Sequence, residues 1–192
     1  MLRPGLVIII EWLAFGASWL LAAGWSSTVD KRLGMSREIG YRTLLVVGAV
    51  MEGIPAHGYE GPLRLWLVSR SEAWACVFLI AGGFGFAWWA RVHLGALWSG
   101  QITAKQNHRI VASGPYGIVR HPIYTGILAA VVATAAAKGT VMGVVGLLVI
   151  SLGVWIKARL EETWLTGQLE PGAYEQYRRK IPMLIPFLPR TQ

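Results

Sequence analysis

Five apolar runs, each bounded by charge, glycine or proline, dictate what this chain can fold into. They extend over about Leu6–Trp25, Ile39–Ile54, Ala73–Trp89, Ile123–Ala137 and Gly139–Ile156. Crossing a hydrocarbon core of about 30 Å takes about 20 helical residues, and within lipid only helices and closed barrels satisfy their own backbone. The runs therefore predict an all-α, polytopic helical membrane protein with about five transmembrane helices. Composition agrees, since only 15% of the residues are charged and 54% are hydrophobic, whereas an ordinary soluble domain is about 25% charged. Disorder, a collagen-like fibre and a nucleic-acid-binding domain are excluded for the same reason, because each needs a polar or charge-rich chain.

The second run is the most polar, with Arg42 and Glu52 inside it and Pro55 closing it, and Glu11 interrupts the first. Lys138 and Gly139 leave room only for a tight turn, so the fourth and fifth runs read as a C-terminal helical hairpin. The start MLRPG leads into a long apolar run without a small-residue cleavage site, which predicts a retained first span. A single cysteine, Cys76, lies in an apolar run, which excludes an intrachain disulfide framework and a cysteine-rich metal site.

Lysine and arginine divide unequally between the two ends of the spans. One side receives Lys31, Arg32, Arg37, Arg91, Lys105, Arg109, Arg120, Lys157, Arg159, Arg178, Arg179, Lys180 and Arg190; the other receives Arg3, Arg64, Arg70 and Lys138. Short cytoplasmic loops collect positive charge. The C-terminus and the loop between the third and fourth spans are thus expected in the cytoplasm and the N-terminus on the opposite side. The net charge of +8 then reflects topology and contact with anionic lipid. The expected organisation is one integral-membrane domain over 1–192: three spans in 1–90, a cytoplasmic loop in 91–122, the hairpin in 123–156 and a cytoplasmic C-terminal segment in 157–192.

Two segments carry unusual chemistry. The fourth run would span only about 22 Å at the helical rise, so irregular backbone is expected at its mouth, where Gly114–Gly126 reads GPYGIVRHPIYTG. Pro122 suits a first helical position. Arg120 and His121 snorkelling to headgroups, with Tyr116 and Tyr124 in an aromatic belt, is the plainer reading of that cluster. The second segment runs KARLEETWL over Lys157–Leu165, breaks at Pro171 and Gly172, and continues as AYEQYRRKIPMLIPFLP. Helical spacing puts Trp155, Arg159, Glu162 and Thr166 on one stripe and Glu161 on the next, with Ala158 and Val154. Surface ion pairs of Lys157 with Glu161 and of Arg159 with Glu162 would explain the same residues.

Taken together, GPYGIVRHPIYTG, the later Arg-x-Glu-Glu and a Gly-x-Tyr-x-x-Tyr…Pro tail resemble the isoprenylcysteine carboxyl methyltransferase family, whose relatives include phospholipid N-methyltransferases. The resemblance covers about Leu94–Leu188, beginning with LGALWSG and HRIVASGPY. It implies a membrane methyltransferase that uses S-adenosylmethionine and releases S-adenosylhomocysteine, with a cytoplasmic cofactor pocket between the hairpin, the loop before it and the C-terminal segment. Gly114, Tyr116, His121, Pro122, Tyr124 and Gly126 match the loop motif, Glu161 and Glu162 the paired acids, and Tyr174 and Tyr177 the tail tyrosines. TGQLEPGA between Glu162 and Tyr174 departs from the family's usual Phe-Gly-acidic approach.

S-adenosylmethionine carries a sulfonium, an ammonium, a carboxylate and a ribose diol. Glu161 or Glu162 is expected to meet the ammonium or the diol, and His121 and turn N–H groups the carboxylate. Tyr116, Tyr124, Trp98 or Trp164 would face the adenine or sulfonium. Arg120 and Arg159 suit an anionic acceptor, and an amine acceptor would require His121 or Glu162 as base. The expected catalytic set is Arg120, His121, Arg159 and Glu162, without metal. The acceptor is expected to be lipid-like or prenylated and to enter from the bilayer.

Glu11 and Glu52 should face the bundle or a helix end, and either could line a lipid-side tunnel. His57, His93 and His108 have no metal-ligand spacing. Gly139, Gly143 and Gly146 suit hairpin packing or a dimer equally. Competing functional readings are phospholipid N-methylation, a sterol-reductase-like oxidoreductase with a nicotinamide cofactor, and a basic membrane scaffold.

Overall fold

A computed structural model describes residues 3–25, 31–32, 34–54, 61–95, 98, 103–104, 110–167 and 172–187. Lys105, Arg109, His57, His108, Pro55, Pro171 and Arg190 lie outside the described residues. The described architecture consists of helices: α1 (Pro4–Leu21), α2 (Met35–Gly53), α3 (Arg70–Leu94), α4 (Pro122–Lys138), α5 (Val141–Thr166) and α6 (Ala173–Lys180). A two-residue antiparallel pairing, Lys31 with Ala104 and Arg32 with Thr103, joins β1 to β2.

Local chemistry sets the helix ends. Ser69 and Glu72 form a capping box at the start of α3, the Ser69 hydroxyl accepting from the Glu72 N–H at 3.3 Å and the Ser69 N–H donating to Glu72 at 2.7 Å, which satisfies N–H groups that the first turn leaves unpaired. Pro122 opens α4. Gly139 closes it in the left-handed region at φ 61°, a conformation that disfavours a side chain. Thr140 then caps α5 by accepting from the Gly143 N–H at 3.2 Å. The connection is held from outside by Leu65, whose N–H donates to the Gly139 carbonyl at 2.8 Å.

Segments Pro4–Gly24, Arg70–Leu94 and Val141–Thr166 are long and apolar enough to cross a membrane, and α4 is a shorter apolar helix. The chain is a multi-pass integral membrane protein. Two helices run past the expected spans. α3 reaches Leu94 rather than Trp89, and α5 continues ten residues beyond Ile156 to Thr166, because KARLEETWL is built largely of good helix formers after hydropathy has fallen.

Packing is organised in two principal helix pairs, α3 with α4 and α2 with α5, while α4 and α5 touch each other less. Glycines make both close approaches. A Cβ on Gly83 would meet the Gly126 carbonyl at 2.6 Å, and one on Gly126 would collide with the Gly83 carbonyl. In the other pair a Cβ on Gly48 would lie 2.5 Å from Ile150, and Gly146 faces Gly48 and Met51. Gly143 packs on Ala135 of α4, and Gly139 on Trp66, so the small-residue face is used inside this chain. Cys76 packs with Ile80, Phe84, Ala130 and Ala133, as core filler.

α1 has no buried residue and leans on α3 through aromatic contacts, with Phe15 stacked on Phe84 at 4.2 Å. Trp12 donates to Thr134 at 3.0 Å. The end of α1 is tied down by Arg91, wholly buried, which donates to the carbonyls of Ala22 and Trp25 at 2.9 and 2.8 Å and to that of Gly95 at 2.9 Å. Its guanidinium lies 4.3 Å from the centroid of Trp98. At the opposite end of the bundle Lys138 donates to the last carbonyls of α2, at 2.5 Å to Glu52 and 3.3 Å to Met51. Those contacts place Glu52 at the end of its helix.

Neighbouring glycines on α3 should respond with opposite signs. Gly82 faces open space and Gly83 faces α4. Gly82→Ala is expected to raise stability in detergent, read from thermal unfolding, through helix propensity by up to about 1 kcal/mol. Gly83→Ala is expected to lower it by about 1–3 kcal/mol through overpacking.

Candidate active site

The site forms where the short helical turn Gly114–Gly117 and the start of α4 meet the C-terminal turns of α5. Gly114 adopts φ 57°, and a Cβ there would sit 2.8 Å from the His93 ring. His93 also shares a hydrogen bond with Ser113 at 3.0 Å. This seating under His93, for which the sequence offered no signal beyond the histidine itself, sets the turn. Pro122 fixes the first position of α4 and leaves Arg120 and His121 immediately ahead of the helix, both buried.

Two adjacent carboxylates on α5 receive them. The Arg120 Nε donates to Glu162 Oε1 at 2.6 Å. His121 bridges the pair, with Nε2 3.2 Å from Glu162 Oε1 and Nδ1 3.5 Å from Glu161 Oε2. The Tyr124 hydroxyl donates to Glu161 Oε1 at 2.5 Å, and its ring stacks on His121 with centroids 5.4 Å apart. Burial by itself would lower the imidazole pKa. The hydrogen bonds and charges of Glu161 and Glu162 outweigh it and hold His121 above its ordinary value, so both ring nitrogens act as donors.

Arg120 has a second task. Its Nη1 donates to the carbonyls of Arg178 at 3.0 Å and Ile181 at 2.6 Å, and its own N–H donates to Pro182 at 2.8 Å. His121 continues the ladder with its N–H on Met183 at 3.1 Å, and Thr125 with its hydroxyl on Leu184 at 2.6 Å. The Tyr177 hydroxyl donates to the Tyr116 carbonyl at 2.7 Å. Burial raises the pKa of Tyr116, Tyr174 and Tyr177, so all three remain neutral phenols. The C-terminal segment is thereby laced across the mouth of α4 by Arg120, His121 and Thr125.

The structure thus brings together Arg120, His121, Tyr124, Glu161 and Glu162. It does not bring Arg159 to them: Arg159 is exposed, lying 5.9 Å over the ring of Trp155, itself 49% exposed. Glu162, expected on the stripe of Arg159, turns inward because Arg120 is its partner. Gly126 lies in the α3–α4 contact. Gly114, Tyr116 and Pro122 shape the backbone, Tyr116 being buried with its carbonyl engaged. Of the aromatic candidates, Trp98 packs on Arg91 and Trp164 on the cluster around Tyr41. Sequence reasoning also passed over Tyr41 of α2. It is buried at the edge of the site, where the Lys157 ammonium lies 5.7 Å from its ring centroid and 5.2 Å from that of Tyr124. A tyrosine beside Arg42 in the most polar span was the available signal.

Two buried atoms of the cluster, Glu162 Oε2 and Arg120 Nη2, have no hydrogen-bond partner among the described residues. A free acceptor beside a free donor fits a ligand that presents both, and the ammonium, carboxylate and diol of S-adenosylmethionine have that character.

The comparisons with known proteins fall on this region. The model of the isoprenylcysteine carboxyl methyltransferase family matches residues 75–166. Through that segment the chain is similar to this family. Over 106 residues it is 34% identical to the protein-S-isoprenylcysteine O-methyltransferase of Schizosaccharomyces pombe, covering 52% of this chain and 43% of that protein. The aligned stretch is thus less than half the length of the relative. The family match takes in α3, the Gly114–Gly117 turn, α4 and both acids of α5, beginning earlier than the expected Leu94. It stops before the tail tyrosines Tyr174 and Tyr177.

Two expectations follow. Removing one partner of a buried ion pair costs about 3–5 kcal/mol, so Arg120→Met should free the C-terminal segment and speed tryptic cleavage at Arg179 and Lys180 by about tenfold or more; an unchanged rate would contradict the lacing. The raised His121 pKa stabilises the fold fully below the ordinary value of 6.5, and that contribution is lost as pH rises through the higher folded value. The thermal midpoint should therefore fall as pH rises above 6.5, and His121→Gln should flatten that fall.

Proposed function

We propose that this chain is an S-adenosylmethionine-dependent membrane methyltransferase that methylates the carboxylate of a lipid-like, isoprenylcysteine-type acceptor. The observation that carries the reading is the buried cluster in which His121 bridges Glu161 and Glu162, with an acceptor on Glu162 and a donor on Arg120 left for a ligand. The match to the family and the printed activity of the yeast relative support it. Five helices, α1 to α5, cross the bilayer in this reading, with the site and C-terminus in the cytoplasm and the N-terminus opposite.

When bound, S-adenosylmethionine supplies an activated methyl group, and transfer is an in-line displacement that depends on alignment and on exclusion of water. Glu161 and Glu162 offer acceptors to its ammonium or ribose hydroxyls. Arg120 Nη2 offers a donor to a carboxylate. The C-terminal segment, held by Arg120, His121 and Thr125, covers the cluster and keeps it dry, which favours two opposite charges cancelling as a carboxylate is methylated. An amine acceptor would need a base, and His121 is unsuited to that role because its carboxylate partners hold the proton on it. A carboxylate acceptor needs no base, which supports carboxyl methylation.

Calorimetric titration of S-adenosylhomocysteine into detergent-purified protein tests the reading. Glu161→Gln and His121→Asn are each expected to weaken binding about tenfold or more, at least about 1.4 kcal/mol. Arg159→Ala is expected to leave it within about twofold, a change under about 0.4 kcal/mol. Folded wild-type protein that binds a nicotinamide nucleotide and not S-adenosylhomocysteine would overturn the reading in favour of an oxidoreductase.

A further inference from the structure

The corner of the site beside Glu161 holds a positive charge from a residue not yet assigned a task. Lys157 lies one turn before Glu161 on α5, and its ammonium sits against the ring faces of Tyr124 and Tyr41, at 5.2 and 5.7 Å from their centroids. The Tyr124 hydroxyl is bound to Glu161, so one corner of the site combines two aromatic faces with a carboxylate. That is the composition of a cation-binding cage. Its walls come from three helices, α2, α4 and α5, and Tyr41 lies outside the segment matched to the family.

Resting on the methyltransferase reading above, we propose that Tyr41, Tyr124 and Glu161 form a sulfonium-binding cage and that Lys157 is its resident counter-ion, displaced when the cofactor binds. A carboxylate withdrawn from water needs a countercharge. His121 and Lys157 both supply one to Glu161, and the flexible four-carbon stem of Lys157 lets its ammonium move to solvent. A sulfonium has no N–H to donate and is less strongly hydrated than an ammonium, so the ring faces suit it well. After methyl transfer the sulfur is a neutral thioether that no longer competes for the cage, and Lys157 returns. The lysine thereby distinguishes the charged cofactor from its neutral-sulfur product.

Acetylation of lysines by an N-hydroxysuccinimide ester, followed by peptide mass mapping, reads the position of Lys157 directly. S-adenosylmethionine should raise the labelling rate at Lys157 by about threefold or more, the scale of losing a cation–π contact, whereas ordinary ligand contact would lower it. Trimethylsulfonium should do the same, and S-adenosylhomocysteine should not. Without ligand, Tyr41→Leu should label Lys157 rapidly, while Tyr41→Phe, which keeps the ring face, should behave as wild type. Calorimetric binding of S-adenosylmethionine with unchanged or slower labelling would overturn the cage and leave the methyltransferase reading standing. Faster labelling with trimethylsulfonium in a protein that does not bind S-adenosylmethionine would support the cage and overturn that reading. Equal acceleration by S-adenosylhomocysteine would overturn the sulfonium assignment.

Discussion

A buried ion pair, Arg120 with Glu162, joins the parts of this protein that lie at the mouth of its helical bundle. Arg120 is 4% exposed and Glu162 3% exposed, so neither charge is supported by water and each depends on the other. The pair connects the start of α4 to the end of α5, and the remaining donors of Arg120 bind the C-terminal segment. Because the backbone N–H groups of Arg120 and His121 serve the same segment, the turn before α4 cannot move without releasing the tail.

This arrangement explains why the paired acids are divided in their work. Glu162 is engaged by Arg120 and His121 through one oxygen, and its other oxygen has no hydrogen-bond partner among the described residues. Glu161 receives the Tyr124 hydroxyl and the second nitrogen of His121. Histidine is the residue that can hold two carboxylates at once, one through each nitrogen, and doing so keeps it protonated. A charge-rich cluster of this kind at the end of an apolar bundle is costly unless satisfied, and under the proposed function a ligand completes its two unsatisfied atoms.

The helices were legible in the sequence because lipid imposes a length and a composition on every span. Their ends were less so. Hydropathy stops at Ile156, yet α5 continues to Thr166, and that extension brings Glu161 and Glu162 to the loop. The motif residues were legible as a set and not in their individual tasks. Spacing on α5 put Glu162 with Arg159, but a partner 42 positions earlier in the chain, Arg120, turns it inward. Gly126 belongs to the same motif as His121 and serves α3–α4 packing instead, a distinction that depends on Gly83. Tyr41 escaped notice because a residue of α2 meets Lys157 only through the pairing of α2 with α5.

The most direct test of the account is transfer of a labelled methyl group from S-adenosylmethionine to a farnesylated N-acetylcysteine, compared with phosphatidylethanolamine, by the purified protein in lipid. The account predicts label on the farnesylated acceptor, released by mild base as expected for a methyl ester. Label in a base-stable N-methyl product of the phospholipid, or in neither acceptor, would contradict it.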